Sequence, residues 1–252
     1  MFSSAEWHTR FRQQARWTYD LRRYLFQRAG LSQAHKILDI GCGTGALMDD
    51  LLDSTPASVY GLDINPSHLS VSMRKSPRPR LIQADAHNLP FPNGTFDLIF
   101  CHFLLLWVSN PQQVVKEMQR VSSPGGTVLA LADPDYGGRI DYPPALAQIG
   151  QWQAAALQQQ GADPFVGRKL STIFHTAGLE QIETGVLGGQ WHTAPSAEEW
   201  QSEWAMLTAD LAHNPTWASE LEQLKSTDQM AWQNGSRVLF VPTFYALGRA
   251  PK

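Results

Sequence analysis

A glycine-rich segment near residue 40 has the residue types of a ligand-binding turn. Residues 37–45 read ILDIGCGTG, an apolar strand that runs directly into a turn with three glycines and then into a helix. Because glycine has no Cβ, a flat, polar ligand can approach the backbone of this turn closely. Gly41, Gly43 and Ala46 also satisfy the dinucleotide pattern G-x-G-x-x-A, so the turn alone does not choose between cofactors.

A carboxylate follows at the end of the next predicted strand. Asp63 lies 22 positions after Gly41, at the carboxyl end of the segment SVYGLDI. A carboxylate at this place can accept hydrogen bonds from the two hydroxyl groups of a ribose. Nicotinamide and adenosylmethionine sites would both use such a group. The structural alternative is an acid that caps the helix predicted to begin near Pro66.

Strand and helix signals alternate around these residues and predict the elements that position them. Strands are predicted at 36–40, 58–64, 80–85, 96–105 and 127–133, and helices at 46–52, 67–74 and 112–121. The strands are nearly continuous apolar runs, as expected for parallel strands that are buried on both faces. The pattern therefore predicts a doubly wound α/β fold with right-handed crossovers.

Further helices are predicted on both sides of this core. Apolar residues recur at near-helical spacing between Ser4 and Gly30, and helical segments follow near 144–160, 166–177 and 196–232. Two later apolar segments, LEQIETGVL and TFYALGRA, are predicted to pair as an antiparallel edge of the sheet. We interpret 1–252 as a single domain with three parts. These are an N-terminal helical lid at 1–34, a cofactor-binding core at 35–135, and acceptor-side helices with final antiparallel strands at 136–252.

Composition excludes several classes of protein. The 252 residues are 43% hydrophobic and 17% charged, which is typical of a globular chain rather than a disordered one. The net charge of −3 argues against nucleic acid as a partner, although six arginines crowd the first 28 residues. The apolar run at 98–108 is shorter than the roughly 20 residues that cross a bilayer, so no membrane insertion is expected. Two cysteines predict a cytoplasmic protein without a metal site.

Four ordered segments carry a more specific resemblance: LDIGCGTG, GLDIN, ADAHNLPFPNGTFDLIFCHFLLLW and PGGTVLALADPD. Together they span about residues 36 to 135 and resemble the class I methyltransferases related to quinone and sterol biosynthesis enzymes, the methyltransferase 11-like family. The resemblance implies a Rossmann-like seven-stranded sheet of order 3-2-1-4-5-7-6, with the last strand antiparallel. It also implies S-adenosyl-L-methionine as cofactor, S-adenosyl-L-homocysteine as product and a small molecule as methyl acceptor.

The same resemblance implies roles for residues around the cofactor. Asp39, Gly41, Gly43 and Gly45 would hold its methionine part, and Asp63 would hold the ribose hydroxyls. These residues come from the first two strands and the turns that follow them, so the resemblance agrees with the interpretation of the glycine-rich turn.

The adenine ring would lie beyond the third strand. Asp85, with the backbone of Ala86 and His87, would meet the adenine edge, because the exocyclic amine is a donor that must be paired when buried. Ile64 would pack on the face of the ring.

The methionine side would be lined by residues of several elements. Cys42 lies in the glycine-rich turn, and Cys101 lies at the end of the fourth strand, followed by His102. Arg16 and Tyr19 of the first helices are candidates to reach the cofactor carboxylate, and arginine suits this role because its planar fork pairs bidentately with carboxylates.

Catalysis needs few side chains, because a sulfonium methyl group is already electrophilic and the main task is in-line alignment. A general base is required only where the acceptor must lose a proton. His102 is the best-placed candidate for that base, and a hydrogen-bonded core histidine is the equal alternative. Tyr136 is the second catalytic candidate.

The acceptor should face the loop DPDYGGRIDYPP, because ligands of open α/β sheets bind outside the carboxyl ends of the strands. Tyr136, Asp135 and Arg139 could orient a substrate there. A salt bridge of Arg139 to Asp135 or Asp141 would explain the same residues without a substrate. Trp107 and Trp191 are further candidates for the acceptor pocket. The tryptophan-rich C-terminal region favours an apolar or aromatic acceptor.

Three other functions stay open at this point. An NAD-dependent oxidoreductase would need a catalytic acid set and usually a second sheet half, and the sequence offers neither. A lyase, cyclase or aminopropyl transferase would use the same cofactor without moving a methyl group. A binding module that has lost turnover would keep the fold. Neither the acceptor atom nor the oligomeric state can be predicted.

Overall fold

The computed structural model describes residues 3–72, 79–186, 194–212 and 214–252. Its strands are β1 (Lys36–Ile40), β2 (Ser58–Asp63), β3 (Arg80–Gln83), β4 (Phe96–Cys101), β5 (Ser122–Pro134), β6 (Ile140–Tyr142), β7 (Glu180–Val186), β8 (Val238–Phe240) and β9 (Thr243–Arg249). Its helices are α1 (Ser4–Trp17), α2 (Tyr19–Ala29), α3 (Met48–Ser54), α4 (Pro66–Ser72), α5 (Pro111–Val121), α6 (Ala147–Gln159), α7 (Leu170–Thr176), α8 (Ala197–Leu211) and α9 (Pro215–Gln233). Within these ranges no helix is both long and apolar enough to span a bilayer.

Seven of the strands form one sheet in the order β3-β2-β1-β4-β5-β9-β7. The strands from β1 to β5 are parallel, and β9 is antiparallel to both β5 and β7. The sheet order predicted from the resemblance is confirmed, because β7 and β9 are the sixth and seventh strands of the sheet in chain order. The central strands are almost fully buried, as their continuous apolar sequences predict.

Local signals account for most element boundaries. Asn110 caps α5 by accepting the Gln113 N–H, and the strongly amphipathic α5 packs Val114 and Met118 into the core. The helix predicted at 196–232 is instead two helices, because Asn214 caps α9 immediately before the proline of its first turn. The fourth strand ends at Cys101 rather than at residue 105. Phe103 has a φ of +51°, which interrupts extended backbone.

The N-terminal arginines attach α1 and α2 to the rest of the molecule. Four of them form ion pairs with acids on other elements, namely Arg10–Glu203, Arg16–Glu199, Arg22–Asp50 and Arg28–Glu183. Two of these acids are on α8, one is on α3 and one is on β7. The basic residues that crowd the start of the sequence therefore serve largely to hold its helices against the sheet and α8.

Candidate functional site

The glycine-rich turn connects β1 to α3 at the carboxyl edge of the sheet. Gly41 and Gly43 have φ values of +71° and +54°, a region that disfavours side chains. A Cβ on Gly43 would lie 3.0 Å from the Phe11 ring, and one on Gly41 would lie 2.8 Å from Leu104 Cδ1. Glycine is therefore required at both positions by backbone conformation and by space.

Asp63 joins this turn to the end of β2. One carboxylate oxygen accepts the Gly43 N–H at 2.8 Å, and the other accepts the Asn65 N–H at 2.8 Å. The side chain is almost buried, with 9% of the residue exposed. Each oxygen keeps lone-pair capacity for a further donor, so the carboxylate can hold the turn and still meet a ligand hydroxyl.

Asp39 lies on β1 just before the turn and is almost fully buried. Burial raises its pKa to about 8, the nearby Asp63 carboxylate adds to the rise, and Arg22 opposes it. Arg22 is itself buried and donates to Asp50 at 2.8 Å and to Thr18 Oγ1 at 3.0 Å. Sequence reasoning missed Arg22. The signal was its position on the buried face of α2, one turn before Leu25.

His102 is bound to α2 rather than free to face an acceptor. Its Nε2 lies 2.8 Å from Thr18 Oγ1. Burial, with a smaller effect from Arg22, lowers the pKa of its imidazole to about 3, so the ring is neutral at pH 7. The preceding Cys101 is buried, and burial raises the pKa of its thiol. The hydrogen bond between His102 and Thr18 is the one that a structural histidine would make.

The residues predicted to meet adenine lie beyond β2 and β3. Asp85 accepts the His87 backbone N–H at 2.9 Å and lies 2.7 Å from the His87 ring nitrogen Nδ1. These hydrogen bonds lower the pKa of Asp85. Ala86 is buried, whereas Ile64 is 67% exposed, an unusual state for isoleucine and one that leaves its side chain available to a flat ring.

Two of the acceptor-side candidates are already paired with protein groups. Arg139 donates to Asp141 at 2.6 Å, so the salt bridge considered from sequence is present. Asp135 is bound by Arg168, with an Nη2–Oδ1 distance of 2.7 Å, and also caps the Gly137 N–H. Both side chains are held in place before any acceptor arrives.

The other candidates are distributed around α1. Tyr136 is largely enclosed, and burial raises the pKa of its phenol, with Arg10 and Arg139 among the nearby charges. Tyr19 and Trp107 are about half exposed. Arg16 is exposed and pairs with Glu199 on α8 at 3.0 Å. Trp191 lies outside the described residues.

Helix α1 covers the glycine-rich turn. The Nδ1 atom of His8 lies 2.8 Å from Thr44 Oγ1, and the Phe11 ring contacts Gly43. Phe11 also stacks on Trp7, with ring centroids 5.4 Å apart, and meets His68 edge-on. Sequence reasoning missed His8 and Phe11. The i, i+4 spacing of Trp7 and Phe11 was the only signal for this aromatic face.

Two buried acids should make the stability of the folded protein depend on pH. Asp39 and Asp133 both have pKa values raised by burial to about 8, from ordinary values of 3.8. The folded state then binds more protons than the unfolded state between these values. We expect these two acids to lower the free energy of unfolding as pH rises from about 4 to 8, by at most about 1.4 kcal/mol per pH unit each, while His102, whose pKa is lowered to about 3, contributes the opposite slope below its ordinary pKa of 6.5. Urea unfolding at a series of pH values measures this slope.

Asp39→Asn tests the assignment of that slope, because an amide cannot ionise. Its unfolding free energy should fall less steeply between pH 5 and pH 8 than that of the unaltered chain. The exposed Asp53 supplies the matched control, and Asp53→Asn should keep the original slope. A slope that is the same in Asp39→Asn and the unaltered chain would mean that Asp39 is ionised in the folded protein.

Comparison with known proteins identifies the family of this chain. Residues 38–130 match a family model described as a methyltransferase domain. A demethylmenaquinone methyltransferase from Lysinibacillus sphaericus is 33% identical over 184 residues, which cover 66% of this chain and 77% of that protein. The chain belongs to the class I S-adenosylmethionine-dependent methyltransferases. The family and the cofactor S-adenosyl-L-methionine, both predicted from the sequence, are confirmed.

Two further relatives align with this methyltransferase over shorter stretches. A malonyl-acyl-carrier protein O-methyltransferase from Halorhodospira halophila is 37% identical over 98 residues, 37% of this chain and 33% of that one. Sterol 4-C-methyltransferase strm-1 from Caenorhabditis elegans is 34% identical over 109 residues, 41% of this chain and 32% of that one. These two alignments span only about a third of each relative.

A solved structure shows the same fold. Phosphoethanolamine N-methyltransferase 2 from Haemonchus contortus, in complex with S-adenosyl-L-methionine, superposes with a TM-score of 0.60. The sequence identity is 14%, and the superposition covers 93% of this methyltransferase and 53% of that chain. At this identity the likeness concerns the fold alone, and it confirms the predicted Rossmann-like architecture.

Proposed function

We propose that this methyltransferase transfers a methyl group from S-adenosyl-L-methionine to a small apolar or aromatic acceptor in the cytoplasm. The observation that carries the proposal is the glycine-rich turn clamped by Asp63 at the carboxyl edge of the sheet. When bound, the cofactor supplies an electrophilic methyl group on a positively charged sulfur. The chain's own task is to bind, orient and exclude water.

The proposed cofactor contacts follow the described geometry. Gly41, Gly43 and Gly45 would receive the methionine part, because none of them carries a Cβ of its own. Asp63 would accept hydrogen bonds from the ribose hydroxyls with its remaining lone pairs. At the far end, Asp85 would pair with the adenine edge and the exposed Ile64 would pack on the ring.

The proposed acceptor cleft lies between α1, the loop after β5 and α8. Residues 1–34 would act as the lid, and 136–252 would enclose the acceptor. Tyr136 stands near Arg10, which α8 holds through Glu203, so the phenol is placed where these three segments meet. Support for an apolar acceptor comes from the relatives named for demethylmenaquinone and for a sterol.

A base of ordinary strength is not evident among the described candidates. His102 is neutral but, with its pKa lowered to about 3, is a weak proton acceptor. The low pKa suits an acceptor atom that attacks without prior loss of a proton, or one whose proton leaves to water. We therefore propose that alignment, rather than proton abstraction by His102, accounts for most of the rate.

The function is tested first by calorimetric titration with S-adenosyl-L-methionine, S-adenosyl-L-homocysteine and NAD. We expect micromolar binding of both sulfur compounds and none of NAD. Turnover is then measured by S-adenosyl-L-homocysteine release with three acceptors: a demethylated quinone, a sterol and a malonyl thioester. Release with the quinone or the sterol supports an apolar acceptor, and release with the malonyl thioester alone refutes it. Binding of NAD in place of the sulfur compounds would overturn the proposal.

The pH profile of turnover should show no contribution from His102. With its pKa near 3, the imidazole stays neutral from pH 5.5 to pH 7.5, so kcat/KM should show no step at the ordinary histidine pKa near 6.5. His102→Ala should share that flat profile, with turnover reduced less than about tenfold by the lost contact with Thr18. A step near 6.5 that disappears in His102→Ala would instead make this histidine the general base.

A further inference from the structure

Asp133 presents a buried carboxyl group that the proposed cofactor contacts do not use. It lies near the carboxyl end of β5 and has no exposed surface. Its Oδ1 atom accepts the Leu105 backbone N–H at 3.1 Å. Its Oδ2 atom is buried and has no hydrogen-bond partner among the described residues. Buried carboxyl oxygens are nearly always paired, because leaving one unpaired is costly.

The loop bound by Asp133 reaches the glycine-rich turn. Residues 102–107 follow β4, and β5 holds them at two places: Asp133 Oδ1 binds the Leu105 N–H, and the Ala132 carbonyl accepts the Phe103 N–H at 2.9 Å. Between these two attachments stands Leu104, whose Cδ1 lies 2.8 Å from the place of a Cβ on Gly41. The loop is therefore fastened on one side to β5 and seated on the other against the turn.

Strain in the loop explains why it needs this attachment. Phe103 has a φ of +51°, a left-handed backbone conformation that is unfavourable for a residue with a bulky side chain. Such a conformation persists only where the surroundings hold it. On the far side of the loop, the Leu106 carbonyl accepts the Asp163 N–H at 2.7 Å. An apolar side chain at 133 could fill the same space, but it could not accept the Leu105 N–H.

We propose that Asp133 is a positioning residue of the cofactor site, whose carboxyl group holds residues 102–107 so that Leu104 lies against Gly41. The inference rests on the proposed function, because it assumes that the cofactor occupies this turn. Asp133 is not proposed to touch the cofactor. It acts through the loop, and loss of its contact should weaken cofactor binding while the fold persists.

The charge state of Asp133 gives the proposal a measurable signature. Burial raises its pKa to about 8, so the carboxyl is neutral at pH 7 and stays dry beneath the loop. Cys101 on β4 faces it, Asp39 on β1 lies beyond Cys101, and the nearby Arg168 is paired with Asp135. None of these neutralises an ionised Asp133. Ionisation above pH 8 therefore favours hydration of the carboxylate, which requires the loop to move.

The test is calorimetric titration of S-adenosyl-L-homocysteine at pH 7 and pH 9 into the unaltered chain and three variants. Asp133→Val removes the acceptor, and Asp133→Asn keeps an acceptor but cannot ionise. Ser122→Ala is the matched control, since Ser122 Oγ is also buried without a hydrogen-bond partner in the described part of the chain, at the opposite end of the same strand. The ligand amino group and Asp39 titrate in every protein, whereas burial raises the pKa of the Cys101 thiol well above its ordinary value, so the difference between proteins isolates Asp133.

At pH 7 we expect Asp133→Val to bind about tenfold more weakly and Asp133→Asn to bind within about threefold of the unaltered chain. From pH 7 to pH 9 the unaltered chain and Ser122→Ala should lose more affinity than Asp133→Asn. Equal losses of affinity in the unaltered chain, Ser122→Ala and Asp133→Asn would overturn the proposal. Full affinity of Asp133→Val at pH 7 would overturn it as well. If Asp133→Val does not fold, Asp133→Asn alone decides through the pH comparison. Failure of the unaltered chain to bind at all would instead refute the proposed function.

Discussion

Asp63→Ala should weaken S-adenosyl-L-homocysteine binding by about 100-fold or more. The substitution removes the proposed acceptor for both ribose hydroxyls; a hydrogen bond to a charged group is worth about 1.5–3 kcal/mol, and a tenfold change in affinity corresponds to about 1.4 kcal/mol. It also removes the acceptor of the Gly43 and Asn65 N–H groups, which holds the turn in shape. The turn and the ligand lose their common partner in a single change, so the effect on binding exceeds that of either contact alone.

Calorimetric titration of Asp63→Ala measures this loss, and circular dichroism checks that the sheet is retained. Asp53→Ala is a matched control, because Asp53 is an exposed acid on the helix that follows the turn and makes no contact with it in the described hydrogen bonds. It should bind as the unaltered chain does. Affinity within threefold for a folded Asp63→Ala would show that the ligand is held elsewhere.

Asp228→Ala should lower the free energy of unfolding by about 3–5 kcal/mol, the usual cost of leaving a buried charge without its partner. Asp228 accepts the ring N–H groups of Trp200 and Trp204 at 2.7 and 2.9 Å and pairs with Arg237 Nε at 2.6 Å. Arg237 continues to Asp141 at 2.7 Å. These charged side chains are nearly buried, so the loss of Asp228 leaves Arg237 with one carboxylate partner instead of two and leaves both tryptophan N–H groups without their acceptor.

This network connects the C-terminal segments to each other. Asp141 is on β6, Arg237 immediately precedes β8, and the two tryptophans are on α8, so Asp228 of α9 holds all of them through a single carboxylate. Denaturant unfolding followed by tryptophan fluorescence measures the change in stability. Lys169→Ala breaks the exposed pair with Asp163 and should cost less than about 1 kcal/mol. Equal, small losses of unfolding free energy in Asp228→Ala and Lys169→Ala would mean that the buried network stabilises the fold no more than an exposed ion pair does.

The two variants also separate stability from binding. Asp228→Ala alters the acceptor-side helices, which are remote in sequence from the glycine-rich turn, and at a temperature where it remains folded it should still bind S-adenosyl-L-homocysteine. Asp63→Ala should bind weakly even where it remains folded, because the ligand loses the proposed acceptor for its ribose hydroxyls. A loss of binding in both would indicate that the C-terminal helices and the cofactor turn unfold as one unit.

Much of the core followed from local signals. The alternating apolar runs, the turn ILDIGCGTG and the acid at position 63 predicted parallel strands, their edge and the position of the cofactor, because strand burial and turn conformation depend on neighbouring residues. The sheet order came from the resemblance of several segments, and the structure agrees with it. Boundaries were less exact: β4 stops at Cys101, and the small sheet of β6 and β8 was not predicted.

The sequence by itself predicted the fold class and the cofactor, which the sheet order and the comparisons confirm, and it predicts the edge of the sheet where that cofactor would bind. Only the tertiary structure decided which side chains meet there. Phe11 lies on Gly43, Arg22 lies near Asp39, and Asp133 holds Leu105, and each of these pairs joins residues that are distant along the chain. Local periodicity carries no record of such contacts, because burial and pairing are properties of the packed molecule and not of any short segment.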